Sequence, residues 1–194
     1  MRVYFRRFLL ITAFVAFSLV LPFYPVNGLE SQVTPTQTHL TIEQEKSFPV
    51  SLIIPAINVN ANIQHIGVNL LGEMEVPSNA AEVGWFKLGS RPGEQGSAVI
   101  SGHLDGKNGE ASVFANLNKL KKGDKLYIED SEGRMTSFVV LDSRIYDSGY
   151  AEEVFSKSNG AYLNLITCDG IWDGAEKSYS KRLVVFTGIS TDSR

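Results

Sequence analysis

Residues 162–187 read YLNLITCDGIWDGAEKSYSKRLVVFT, two apolar runs joined by a polar stretch that carries glycines and aromatics. The runs Tyr162–Thr167 and Arg182–Thr187 have the length and the β-branched and aromatic content of strands. Cys168 leaves the first run just ahead of Asp169-Gly170. A side chain at the exit of a buried strand sits on a rigid element and yet faces a loop, which suits a nucleophile that needs both reach and fixity. The joining stretch Asp169–Ser180 is expected to be a loop that walls a cleft.

Outward from this pair the chain keeps the same texture. Pro49–Ile54 is a strand-like run, and Ile57–Ile63 alternates apolar and polar residues as a half-buried strand does. Ser97–Ser101 is another short run. Lys125–Glu129 and Thr136–Leu141 flank Asp130-Ser-Glu-Gly133, which reads as a hairpin loop. Helical patterning is confined to Val113–Leu120 and Glu152–Phe155, enough for one or two short helices. The fold class is therefore all-β, and short strands at near-regular spacing fit a closed barrel or a sandwich. No internal repeat is visible.

Of the 194 residues, 43% are hydrophobic and 20% charged, with a formal charge of −3. That composition supports one folded domain with an appendage. With Lys and Arg scattered, nothing marks a nucleic-acid partner. The appendage is N-terminal. Three arginines lie within Met1–Arg7, and Phe8–Tyr24 (FLLITAFVAFSLVLPFY) then runs seventeen residues without a charge. This approaches the span of a bilayer and lacks a small-residue cleavage site at its exit. Residues 1–26 are expected to form a basic cytoplasmic tip and a signal-anchor transmembrane helix. Residues 27–46, polar and Thr-rich, read as an extracellular linker, and 47–194 as the folded, extracellular domain.

The chain has one cysteine, so neither an internal disulfide nor a paired-cysteine metal knuckle is available. A lone Cys in a protein is often a small buried hydrophobe. Its neighbourhood argues for more. His103 follows the run Ser97–Ser101 and Gly102, where a glycine would let the backbone turn sharply. It is the best general acid and base for a thiol. Arg182, fourteen residues beyond Cys168, returns beside it if the two strands pair, and a guanidinium there suits an oxyanion. His65 reads as structural and His39 as a solvated linker residue. Two rival constellations are weaker. His103, Asp105, Asp169 and Asp173 offer one imidazole to a metal. Ser101, His103 and Asp105 lie too close in sequence for a serine triad, and no G-x-S-x-G elbow is present.

Three segments together, Ser97-Ala-Val-Ile-Ser-Gly-His103-Leu-Asp105, Leu163-Asn-Leu-Ile-Thr-Cys168 and Arg182-Leu-Val-Val-Phe186, resemble the sortases, cysteine transpeptidases of the Gram-positive cell surface. The resemblance covers roughly residues 50–189. Val83-Gly-Trp-Phe86, Arg91-Pro-Gly93, Val113-Phe-Ala-Asn-Leu117 and Lys122-Gly-Asp124 look most like class F. The resemblance implies an eight-stranded β-barrel with its groove floored by the strands that carry Cys168 and Arg182. It implies attack by Cys168 on an LPxTG-type sorting motif of a surface protein, with a thioacyl-enzyme intermediate. Arg182 would steady the oxyanion, His103 would move protons, and Thr167 would shape the substrate site through its hydroxyl or backbone. The acyl group would pass to an amine of a cell-wall precursor or a pilin lysine. No cofactor is implied, and no acidic cluster marks the calcium site that some sortases carry. The stretch 143–160 corresponds to a loop near the substrate's apolar residues. Two other readings compete: a hydrolytic cysteine peptidase on the same fold, and a non-enzymatic, membrane-tethered binding module in which Cys168 is merely buried.

Overall fold

In the computed structural model, described over residues 47–106, 112–149, 152–156, 159–176 and 178–190, the strand-like runs become strands of a single sheet. They are β1 (Pro49–Ile54), β2 (Val59–Ile66), β3 (Val83–Phe86), β4 (Gly96–Gly102), β5 (Lys125–Asp130), β6 (Met135–Asp147), β7 (Ala161–Asp173) and β8 (Ser178–Ile189). The sheet closes on itself in the order β1-β2-β3-β4-β7-β8-β6-β5. Closure removes both edges and resolves the choice between barrel and sandwich. The expected anchor helix at Phe8–Tyr24, the linker 27–46 and His39 lie outside the described residues.

Side chains alternate across each strand, so each strand feeds two packed layers. Ala98, Ile100, Leu163, Leu165, Leu183 and Val185 point into the barrel and join its core, with Phe114, Leu126 and Phe138 fully buried among them. The residues between them, Val99, Ile166 and Val184, belong to a second cluster with Phe86 and Val154 on the outer face. β7 is buried on both faces over Leu163–Thr167, and for that reason its sequence is an almost unbroken apolar run rather than an alternating one.

Two pairings are parallel, β2 with β3 and β4 with β7. A parallel neighbour cannot be reached by a tight turn, so the chain must cross over the sheet. Residues 67–82 make such a crossover between β2 and β3. Val113 N–H donates to the Ala80 carbonyl at 3.0 Å and Phe114 N–H to the His103 carbonyl at 3.0 Å, which stitches the crossover to the exit of β4.

Several expectations need correction. The segments Val113–Leu120 and Glu152–Phe155 yield only 3-10 turns at Leu117–Lys119 and Glu152–Phe155, and a third occurs at Pro55–Ile57. No α-helix occurs among the described residues. β3 was not anticipated: four residues containing a glycine give too short a signal, although all four are buried. The expected loop 143–160 begins with five residues of β6, and the expected loop Asp169–Ser180 is largely strand. There Gly170, at φ +82°, takes up a bulge that lets the β7–β8 ladder continue to the pair Asp173↔Ser178. Arg182 is consequently inside β8 rather than at its start. The Asp130–Gly133 hairpin turn is as expected, with Gly133 N–H donating to the Asp130 carbonyl at 2.9 Å.

Gly102 also plays a different part from the one anticipated. It remains in β4, and its value lies in its missing side chain: a Cβ there would sit 2.5 Å from the ring of Phe114. Gly102→Ala should therefore cost about 1–3 kcal/mol by overpacking, measured as a lower denaturation midpoint, and Phe114→Leu in the same chain should recover part of that loss.

Candidate active site

β7 pairs with β4 on one side and β8 on the other, and these two registers assemble the site. In the antiparallel ladder Cys168 stands directly opposite Arg182. In the parallel ladder Ser101 stands opposite Ile166, so two residues later the chain leaves β4 at His103, level with Cys168. The Thr167 hydroxyl donates to the Gly102 carbonyl at 2.8 Å and seals the two strands at that level. Thr167 is itself buried, and it lines the pocket beside Cys168.

Cys168, Arg182 and His103 line one pocket of about 110 Å³ on the outer face of the barrel. Ile166, Thr167, Ser101 and Gly102 complete its floor, and Met74, Val76 and Pro77 from the crossover 67–82 form a wall. The pocket joins the outer apolar cluster through Met74 and Ile166. On that side the 3-10 turn Glu152–Phe155 is fastened down by Asn164, whose Nδ2 donates to the Val154 carbonyl at 2.8 Å, and by Ser97, whose hydroxyl donates to the Ser156 carbonyl at 2.7 Å. Asn164 is buried, and nothing in the sequence singled it out, because a polar residue in a strand is ordinarily read as facing solvent.

His103 Nε2 lies 2.7 Å from the Pro77 carbonyl oxygen. A carbonyl only accepts, so Nε2 carries a hydrogen and Nδ1 is the nitrogen free to take and release a proton. The Arg182 guanidinium is oriented by its own strand: Nη1 donates to the Tyr179 carbonyl at 2.8 Å and the Lys181 carbonyl at 2.7 Å, and Nη2 to the Ser178 hydroxyl at 3.1 Å. Asp105 turns to Tyr179, whose hydroxyl donates to Oδ2 at 2.5 Å. That bond, with burial and the Asp105 charge behind it, pushes the Tyr179 phenol up to about 12. Ser101, His103 and Asp105 thus make no triad. The Ser101 hydroxyl is buried without a partner and the other two residues are bonded elsewhere. Among the described residues no three His, Cys, Asp or Glu side chains gather as metal ligands. His65 lies apart from the site, its Nε2 donating to the Pro49 carbonyl at 3.0 Å and its ring edge-on to Phe48 and Trp85.

Burial raises the Cys168 pKa, the Arg182 guanidinium lowers it and the Asp105 carboxylate raises it, with a net rise. The sulfur is half-buried rather than sealed in the core. A raised pKa disfavours the thiolate, so a base beside the sulfur would aid its reaction.

A Sortase domain family model matches residues 52–189. Among solved structures, Streptococcus agalactiae sortase C1 in complex with MTSET is 25% identical over 75% of this chain and 68% of that one, with a TM-score of 0.59. Sortase C-1 from Actinomyces oris is 26% identical over 74% and 76% of the two chains, with a TM-score of 0.57. A lid mutant of sortase A from Corynebacterium diphtheriae is similar in fold at 23% identity, over 79% and 76%, with a TM-score of 0.60. No curated protein matches the chain in sequence.

The thiol environment makes a direct prediction. Alkylation of Cys168 by iodoacetamide should rise with pH to a midpoint above the ~8.5 of a free thiol. Arg182→Met, which removes the cation that favours the thiolate, should move that midpoint higher still. A midpoint that fell in the variant would contradict the assignment of Arg182 as the stabilising charge.

Proposed function

Since this chain belongs to the sortase family and is a sortase-type cysteine transpeptidase, we propose that it cleaves an LPxTG-type sorting motif and transfers the acyl group to an amine of the cell envelope. The observation that carries this reading is the meeting of Cys168, His103 and Arg182 around one pocket, although they lie at three separate places in the sequence. In the reaction His103 Nδ1 takes the thiol proton and the sulfur attacks the carbonyl carbon between Thr and Gly of the motif. Negative charge gathers on the carbonyl oxygen, where the Arg182 guanidinium, already oriented by Ser178, Tyr179 and Lys181, stabilises it. The C–N bond breaks as His103 returns its proton to the departing amine, leaving a thioester on Cys168. An incoming amine gives a proton to His103, forms the new amide and expels the sulfur.

The apolar wall of Met74 and Val76 and the floor at Ile166 suit the apolar residues of such a motif, and the backbone at Thr167 edges the same floor. The acceptor is an amine of a cell-wall precursor or a pilin lysine. The segments Val83–Phe86, Arg91–Gly93, Val113–Leu117 and Lys122–Asp124 support a class F-like enzyme. The charge-free run Phe8–Tyr24 behind three arginines supports a single-pass membrane anchor with the barrel outside the cell.

The full chain should convert a fluorescent LPxTG-type peptide and triglycine into a ligated product, with a transient mass adduct on Cys168. Cys168→Ala should abolish turnover. His103→Ala and Arg182→Ala should each lower kcat/KM by about 100-fold or more. A product unchanged by added amine would instead favour a hydrolytic peptidase. A thiol inert to alkylation in the folded protein at any pH would favour a binding module.

A further inference from the structure

Tyr179 bridges β8 and the segment leaving β4. Its hydroxyl reaches Asp105 on the segment leaving β4, at 2.5 Å, and its carbonyl receives Arg182 Nη1 from within β8, at 2.8 Å. The side chain is aimed by its cross-strand neighbour: Tyr179 pairs with Trp172 across the β7–β8 ladder, and the two rings meet edge to face with centroids 5.2 Å apart. Such a pair holds an aromatic ring in one orientation. Asp105 lies two residues beyond His103, so whatever restrains Asp105 also restrains the short segment that presents the imidazole.

We propose that Tyr179 is a positioning residue of the sortase site, which clamps Asp105 through its hydroxyl and thereby holds the His103 segment against Arg182 and keeps the Asp105 carboxylate from competing for the guanidinium. This deepens the functional reading above and rests on it. Arg182 and Asp105 act on the same Cys168 thiol with opposite sign, and a carboxylate that reaches a guanidinium can form a bidentate pair with it. A guanidinium so occupied is turned away from an oxyanion. A phenol hydroxyl on Asp105 Oδ2 satisfies that carboxylate locally and leaves Arg182 to its carbonyl partners. The titratable and charged groups facing Cys168 are Arg182 from β8 and His103 and Asp105 beyond β4, with Tyr179 behind Asp105; the wall 67–82 contributes Met74, Val76 and Pro77, which do not titrate.

The test is a double-mutant cycle of Tyr179→Phe and Asp105→Asn in the full chain, read by iodoacetamide alkylation of Cys168 against pH and by kcat and KM for peptide ligation. Tyr179→Phe removes only the hydroxyl, and the melting temperature checks that the fold is kept. It should lower kcat about tenfold with KM within about twofold, the scale of a lost hydrogen bond to a charged group, and raise the alkylation midpoint. Asp105→Asn should lower the midpoint, and in that background Tyr179→Phe should change both readouts little, because the carboxylate it restrains is gone. An equal loss of kcat from Tyr179→Phe in both backgrounds, or a midpoint that does not move, overturns the proposal. If Tyr179→Phe fails to fold, Asp105→Asn alone decides: a midpoint and kcat both at the wild-type values overturn it. The alkylation arm needs no peptide. A wild-type chain that alkylates but ligates nothing therefore sinks the transpeptidase reading and leaves the clamp still measurable.

Discussion

β7 belongs to two ladders at once, parallel to β4 and antiparallel to β8, and its register in both decides where Cys168 lies relative to His103 and to Arg182. Side chains alternate, so a slip of one residue in either ladder would turn Cys168 from the outer face to the barrel interior. The register is strongly held because both faces of β7 are buried: Leu163 and Leu165 face the core and Ile166 faces the outer cluster. Slippage would turn Asn164 and Cys168 toward the core and draw Leu163 and Leu165 out of it. The Thr167 hydroxyl adds a specific lock to the Gly102 carbonyl, and Gly102 in turn lies flat under Phe114.

The pocket is a by-product of closing the barrel with parallel pairs. A wholly antiparallel meander could use tight turns throughout and leave its outer face bare. Here the β2–β3 pairing forces the crossover 67–82 over the sheet, and that crossover supplies Met74, Val76 and Pro77 as a wall and the Pro77 carbonyl that sets the His103 tautomer. The half-buried setting raises the Cys168 pKa and so disfavours the thiolate. A thiol is a poorer target for oxidants than a thiolate.

Cys168 and Arg182 were legible as a pair because each adjoins a run whose composition alone marks a strand, and the stretch between them is short enough to bring neighbouring strands back together. The strand cores of β1, β4, β5 and β7 were legible for the same reason. What escaped was local structure decided by distant partners. β3 is four residues long and is a strand only because β2 and β4 hydrogen-bond to it. The outer halves of β6, β7 and β8 look like polar loop in sequence because they extend past the core, and they are strand because each continues its neighbour's ladder across a bulge. The segment Val113–Leu120 has helical spacing, but Phe114 and Leu117 are drawn into the core and a short 3-10 turn delivers them there.

Composition and local periodicity are enough to mark the chain as all-β, to put a single thiol after a buried strand and an imidazole just past a strand run, and to tie a guanidinium to the last run. The assembled barrel alone puts Arg182 inside β8, sets the Thr167 hydroxyl on Gly102, makes Asn164 fasten the turn Glu152–Phe155 and brings Tyr179 to Asp105. Each of these contacts joins separate elements, and which elements meet is set by the packing of the whole barrel rather than by any one segment.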